Sequence, residues 1–326
     1  MESFIFALNA VAPIILMVVL GYILKRIGLF GADFAKQANK LVFRVFLPVM
    51  LFLNVYNINS MTDIGIGYII YAVSAVFAVI IIAVLLIACF IKEKDRRAPL
   101  MQAVFRSNYA LIGIPLAESL FGAPGAAVAA LLSAFTIPIF NIVAVVCFSV
   151  FGSDEKPNFK KVLIGIAKNP LIWGVALGAI FMLIKNSLMG IGVTTTLSDI
   201  TPVYKALSYL SSMATPLALL ALGAQFEFSA VPELKKEIII GTAARCVIVP
   251  AICLGVAYLI GKFNGAHFAA FVALFATPVA VSTVPMTQEM GSDTKLAGQL
   301  VVWTTLFSSV TIFLFTFILK LIGVFV

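Results

Sequence analysis

Apolar residues run along this chain in long blocks, each close to the roughly 20 residues that cross a bilayer core as a helix. Ten blocks are legible: residues 5–24, 40–58, 65–91, 99–121, 125–151, 164–185, 203–225, 238–260, 266–289 and 296–323. Polar residues collect in short connectors, none long enough for a further folded domain. The pattern predicts an all-α integral membrane protein of ten transmembrane helices.

Composition agrees. Of 326 residues, 62% are hydrophobic and only 11% charged, against about 25% charged in a soluble domain. A water-soluble enzyme or nucleic-acid binder would lack the polar surface to cover itself. The net charge of +8 belongs to connectors, where it reports topology. Fifteen Lys and Arg fall between spans 1–2, 3–4, 5–6, 7–8 and 9–10, and four (Lys185, Lys205, Lys262, Lys320) on the opposite side. This predicts a plasma-membrane protein with both termini extracytoplasmic. Residues 1–24 lack the basic start and small-residue cleavage site of a signal peptide, so the first block reads as an uncleaved span. Cys89, Cys147, Cys246 and Cys253 lie in apolar blocks without metal-ligand spacing, and His267 stands alone. No cofactor or metal is expected.

Ten spans divide into five plus five, 1–151 and 152–326, and an odd number per half inserts the halves in opposite orientation, as in many secondary transporters. Span 1 reads Pro13-Ile-Ile-Leu-Met-Val-Val-Leu-Gly21 and span 6 reads Pro170-Leu-Ile-Trp-Gly-Val-Ala-Leu-Gly178, with identical spacing of the shared positions. Spans 2 and 7 each carry a central proline, Pro48 and Pro216.

Spans 4 and 9 have polar middles interrupted by Gly or Pro: Arg106-Ser-Asn-Tyr-Ala-Leu-Ile-Gly-Ile-Pro-Leu-Ala-Glu118 and Phe275-Ala-Thr-Pro-Val-Ala-Val-Ser-Thr-Val-Pro-Met-Thr-Gln-Glu289. Proline removes a helix hydrogen bond and displaces the carbonyl four residues earlier. Pro115, Pro278 and Pro285 are therefore expected to free the carbonyls of Leu111, Leu274 and Val281. Helix segments beginning at Pro115 and Pro285 would aim positive dipole ends at a shared cavity, a geometry suited to an anion. Ordinary proline kinks are the alternative.

Ionisable residues inside the spans are functional candidates. Arg106 either snorkels to the interface or attracts an anion. Arg245 either serves the anion or pairs with Glu227, Glu237 or Glu289. Arg44 is expected to snorkel, and Glu289 and Asp293 to be solvated. Glu118 is the candidate proton carrier, against a plain role at a helix start. Asn54, Asn141 and Gln225 either line the cavity or join helices. No nucleophile elbow, zinc-helix motif, phosphate loop or carboxylate pair appears, so an enzyme is not expected.

These residues resemble the auxin efflux carrier family, which includes plant auxin exporters and bacterial malonate or malate permease-like proteins. The resemblance spans all ten blocks and is most specific at Asn108-Tyr-Ala-Leu-Ile-Gly-Ile-Pro-Leu116, Lys168-Asn-Pro170 and Leu219-Leu-Ala-Leu-Gly223. It implies a scaffold of spans 1, 2, 6 and 7 that forms a homodimer, and a transport unit of spans 3–5 and 8–10 moving as an elevator. It implies that spans 4 and 9 cross at their prolines, with Asn108 on the substrate carboxylate and the chain at Gly113, Ile114, Pro115, Pro278 and Pro285 beside it. Ser282 and Thr283 would help. The connector 152–163 is shorter than in plant members, and the span 9 prolines stand seven apart, wider than in the plant pattern. The expected function is secondary active transport of a small organic anion, with H+ or Na+ as the coupling ion. The alternatives are a sodium-coupled symporter of the same fold, an anion channel, and a membrane enzyme or receptor.

Overall fold

The computed structural model describes residues 2–57, 66–151, 164, 167–192 and 196–325, and all regular structure among them is helical. The connector 152–163, with Lys156, Lys160 and Lys161, lies outside the described residues. The helices are α1 Glu2–Arg26, α2 Ala32–Tyr56, α3 Ile66–Phe90, α4 Lys94–Phe105, α5 Ile114–Phe151, α6 Pro170–Gly190, α7 Thr201–Gln225, α8 Val231–Ile260, α9 Gly265–Phe275, α10 Thr283–Glu289 and α11 Thr294–Leu321. Within α5 the chain turns a corner at Phe121 and Gly122, whose φ of 61° suits glycine. That corner separates the expected fourth and fifth spans.

Seven of these helices are long and apolar enough to cross a membrane: α2, α3, α5 from Pro124 onward, α6, α7, α8 and α11. Spans 4 and 9, expected to be interrupted, are not among them. Each is a chain of short helices with extended backbone between, because its polar middle makes other hydrogen bonds. The first span corresponds to α1, a helix of 25 residues.

Three helices contain a π turn immediately before a proline. Val42–Phe46 precedes Pro48, Tyr109–Gly113 precedes Pro115, and Ala244–Ile248 precedes Pro250. In each, the N–H just ahead of the proline reaches back five residues: Leu47 to Val42, Ile114 to Tyr109, Val249 to Ala244. Widening the turn absorbs the missing proline donor without breaking the helix.

Glycine sets the closest helix contacts. A Cβ on Gly21 would collide with the backbone of Leu220 in α7, and one on Gly178 would lie 2.7 Å from the Phe52 carbonyl in α2. So α1 packs on α7, α6 packs on α2, and α2 also packs on α7. Helices α5, α8 and α11 pack on α9, in which every residue except His267 is buried. A helix enclosed on all sides reads as continuously apolar. Helix α1 also touches α11, joining the two groups.

Candidate functional site

The two interruptions meet. Helix α4 ends at Phe105, and the chain leaves the helix in extended form at Arg106 and Ser107. Helix α9 ends at Phe275, and α10 begins at Thr283. Between them Ser107 and Val279 form an isolated antiparallel bridge. Its bonds are Asn108 N–H to the Pro278 carbonyl at 2.8 Å and Ala280 N–H to the Arg106 carbonyl at 3.3 Å. Pairing satisfies backbone that would be costly bare in an apolar interior.

The crossing has an electrostatic side. Helices α4 and α9 present their C-terminal, partly negative ends to it. Arg245, 1% exposed, takes up those ends. It donates from Nη2 to the Leu274 carbonyl at 2.7 Å, from Nε to the Thr277 carbonyl at 2.8 Å and from Nη1 to the Val104 carbonyl at 3.2 Å. Arg245 therefore neither lines the cavity nor pairs with Glu227, Glu237 or Glu289. Carbonyls freed by the interruptions offer it acceptors without the cost of burying a second charge.

On the other side of the bridge lies a cavity of about 160 Å³. Its walls are Arg106 to Ala110, Ile137, Phe140 and Asn141 of α5, Ala280 to Ser282, and residues of α2 and α7 including Asn54 and Thr215. An engineered apolar cavity of about 150 Å³ holds benzene, so this volume accommodates a small organic molecule.

The guanidinium of Arg106 stands in this wall, 4% exposed. Nη2 donates to Asn141 Oδ1 at 2.7 Å and Ser282 Oγ at 3.0 Å, and Nη1 donates to Gln102 Oε1 at 2.8 Å and Met286 Sδ at 3.1 Å. Every one of these partners is neutral. Among the described residues no carboxylate lies within ion-pair distance of it. Beside it Asn108, 7% exposed, has a side-chain Nδ2 with no hydrogen-bond partner.

Of the expected site residues, the structure brings Asn108, Arg106 and Ser282 together in one wall, with Asn54 and Asn141. Gly113, Ile114, Pro115, Pro278, Thr283 and Pro285 are not in it. Gly113 is buried against α9, where a Cβ would lie 3.1 Å from the Ala273 carbonyl. Pro115 is exposed, and Thr283 and Pro285 are buried within α10. Gln225 instead donates to Gln288 at 3.1 Å and accepts from Asn39.

The proline expectations divide. Pro278 does free the Leu274 carbonyl, which Arg245 occupies. Pro115 follows a π turn inside a continuing helix, so the helical segment starts at Tyr109 instead. Pro285 is the third residue of α10, where an N–H has no partner within the helix anyway. The Val281 carbonyl accepts from Val284 N–H at 3.2 Å. Glu118 is exposed on α5, away from the cavity.

Polar ends of the molecule are paired rather than freely solvated. Arg44 donates to Glu289 at 3.1 Å. Arg96 bridges Glu233, Glu237 at 3.3 Å and Asp293 at 3.5 Å, and Asp293 also caps α11 through Leu296 N–H. Sequence reasoning missed Gln102, Thr215 and Met286 near the cavity. Gln102 sits one helical turn before Arg106, a spacing that could have flagged it. Thr215 and Met286 carry no local signal.

A family model described as "Membrane transport protein" matches residues 6–316. An "Uncharacterized transporter" of Methanothermobacter thermautotrophicus is 24% identical over 315 residues, covering 95% of this chain and 98% of the relative. "Uncharacterized transporter MJ1031" of Methanocaldococcus jannaschii is 26% identical over 320 residues, covering 96% and 98%. "Uncharacterized transporter YfdV" of Escherichia coli K12 is 26% identical over 304 residues, covering 86% and 87%. Long apolar helices and a match over nearly the whole length agree: this chain is a multi-pass membrane protein and belongs to the auxin efflux carrier-like membrane transport family.

Proposed function

We propose that this protein is a secondary active transporter of a small organic anion, a carboxylate of the size of malate, in the cell membrane. One observation carries this reading: the buried Arg106 cation borders a cavity and has only neutral partners. A buried charge is costly unless paired. A carboxylate in the cavity supplies the missing charge, and the unpartnered Asn108 Nδ2 supplies a second donor. Ser282 and Asn141 hold the guanidinium in place for it. A cation-binding role for the same cavity is disfavoured by Arg106 itself.

The cavity wall joins residues of α2 and α7 to residues of the crossing and α5. Those belong to two packing groups, which supports a scaffold of α1, α2, α6 and α7 and a mobile unit carrying the crossing. Sliding one against the other moves the anion as an elevator without opening a continuous pore. The exchanged pairing of α1 with α7 and α6 with α2 supports two inverted halves, and the excess of basic connectors supports extracytoplasmic termini.

The test is binding of malate to purified protein by isothermal titration calorimetry. Charge-assisted hydrogen bonds contribute about 1.5–3 kcal/mol each. Arg106→Gln is therefore expected to weaken binding roughly 10- to 150-fold, and Asn108→Ala several-fold. Malate affinity left unchanged by Arg106→Gln would overturn the assignment.

A further inference from the structure

On the side of the basic connectors, α10 is tied to α2 and α7 by side-chain amides. Gln288, near the end of α10, makes three hydrogen bonds, and all three cross to those two helices. Its Oε1 accepts from Asn39 Nδ2 at 3.0 Å and from Gln225 Nε2 at 3.1 Å, and its Nε2 donates to the Lys36 carbonyl at 3.1 Å. Asn39 Nδ2 also donates to Gln225 Oε1 at 3.1 Å, which closes a ring of three amides. Beside the ring, Arg44 of α2 donates to Glu289 of α10 at 3.1 Å.

The same three segments border the anion cavity further along. Leu47 of α2, Ala218 of α7 and Ser282 at the start of α10 line it. Asn39 lies about two turns before Leu47, Gln225 about two turns after Ala218, and Gln288 nearly two turns after Ser282. By helical rise each amide therefore stands about 9–12 Å beyond the cavity. All three arrive at one level, on the side of the basic connectors. The stretches between cavity and ring carry buried Phe43, Phe46, Ala221 and Met286.

We propose that Asn39, Gln225 and Gln288 form the gate that holds the cavity shut toward the basic connectors and parts once in each transport cycle. This rests on the carrier reading above, in which α2 and α7 belong to the scaffold and α10 to the moving unit. The chemistry suits a contact that is made and broken repeatedly. The ring holds no charge, so parting it exposes only amides, which water satisfies. Asn39 is 0% exposed, yet its Oδ1 has no hydrogen-bond partner in the protein. A buried acceptor left unsatisfied penalises the closed form. Water reaching it in the open form removes that penalty, which keeps the two states close in free energy. The Arg44–Glu289 pair sits at the rim, with the Arg44 side chain 60% exposed, and adds little to the closure.

The experiment uses the intact protein in membranes, with a membrane-impermeant maleimide and with malate as probes. Thr215→Cys places a reporter thiol in the cavity wall, and the exposed Lys92→Cys identifies the face of the basic connectors. Each neutral hydrogen bond is worth a factor of about 2 to 12 in an equilibrium constant. Gln288→Leu removes all three bonds and should speed labelling of Thr215→Cys from that face at least tenfold, while Gln225→Leu, which spares the Asn39–Gln288 bond, should speed it less. In the second arm, Asn39→Cys and Gln288→Cys are combined and joined by a reducible bifunctional thiol reagent. Joining them should stop malate uptake into proteoliposomes, and reduction should restore it, while malate still raises the melting temperature. Labelling of Thr215→Cys at an unchanged rate in Gln288→Leu overturns the gate, as does uptake at the uncrosslinked rate by the joined protein. Malate that neither stabilises the wild type nor enters overturns the carrier reading; the labelling arm needs no malate, so the two failures are told apart.

Discussion

Replacing Arg245 by methionine keeps most of the side-chain volume and removes three charge-assisted hydrogen bonds at once. The acceptors, the carbonyls of Val104, Leu274 and Thr277, lie 2.7 to 3.2 Å from the guanidinium. They would be left buried in an apolar interior. Removing one partner of a buried charged set costs about 3–5 kcal/mol, and each freed carbonyl carries a desolvation penalty of about 1–3 kcal/mol. Two helix ends also lose the cation that offsets their dipoles, at about 0.5–2 kcal/mol each. Partial relaxation of the crossing offsets some of this, leaving a loss on the order of 5 kcal/mol. Thermal unfolding in detergent micelles, followed by tryptophan fluorescence, should show a melting temperature lower by about 10 °C. Arg245→Lys keeps the charge but cannot span three acceptors, and should fall between. Arg106→Gln should leave stability near wild type while weakening malate binding, because its own charge is the uncompensated one. If Arg245→Met melts within about 1 °C of wild type, the view that this residue holds the crossing together is wrong.

Other expectations follow from the same contacts. Gly178→Leu should separate α6 from α2, costing at least about 2 kcal/mol and lowering the melting temperature measured by the same assay. Pro285→Ala should shift stability by less than about 1 kcal/mol, since its N–H position lies in the unpaired first turn of α10. Glu118→Gln should leave malate uptake into proteoliposomes at the wild-type rate, because the carboxylate is exposed and away from the cavity. Asn264→Ala removes the cap on α9 at His267 N–H and should cost about 1 kcal/mol in thermal unfolding.

How legible the site was varied residue by residue. Arg106 and Asn108 stood out because polar groups inside an apolar block demand a reason. Pro278 correctly marked an interruption, since the Leu274 carbonyl it frees is visible from spacing alone. Pro115 and Pro285 misled. The rule that proline opens a helix holds for a regular α-helix interior, and Pro115 follows a π turn while Pro285 sits in a first turn. Arg245 was legible as an intramembrane charge, but its partners were not, because they belong to α4, α9 and the chain just beyond.

Membrane residence, the all-helical fold and the presence of two interrupted segments were legible in the sequence alone. Each depends on contiguous residues: block length against bilayer thickness, and a proline against the carbonyl four positions before it. The two buried arginines look alike in sequence. Only the tertiary structure separated them, giving Arg245 to backbone carbonyls and Arg106 to a cavity, because the acceptors and the void come from segments more than a hundred residues apart. A charge in an apolar block must find a partner, but the chain alone cannot say which distant segment folding will bring to it.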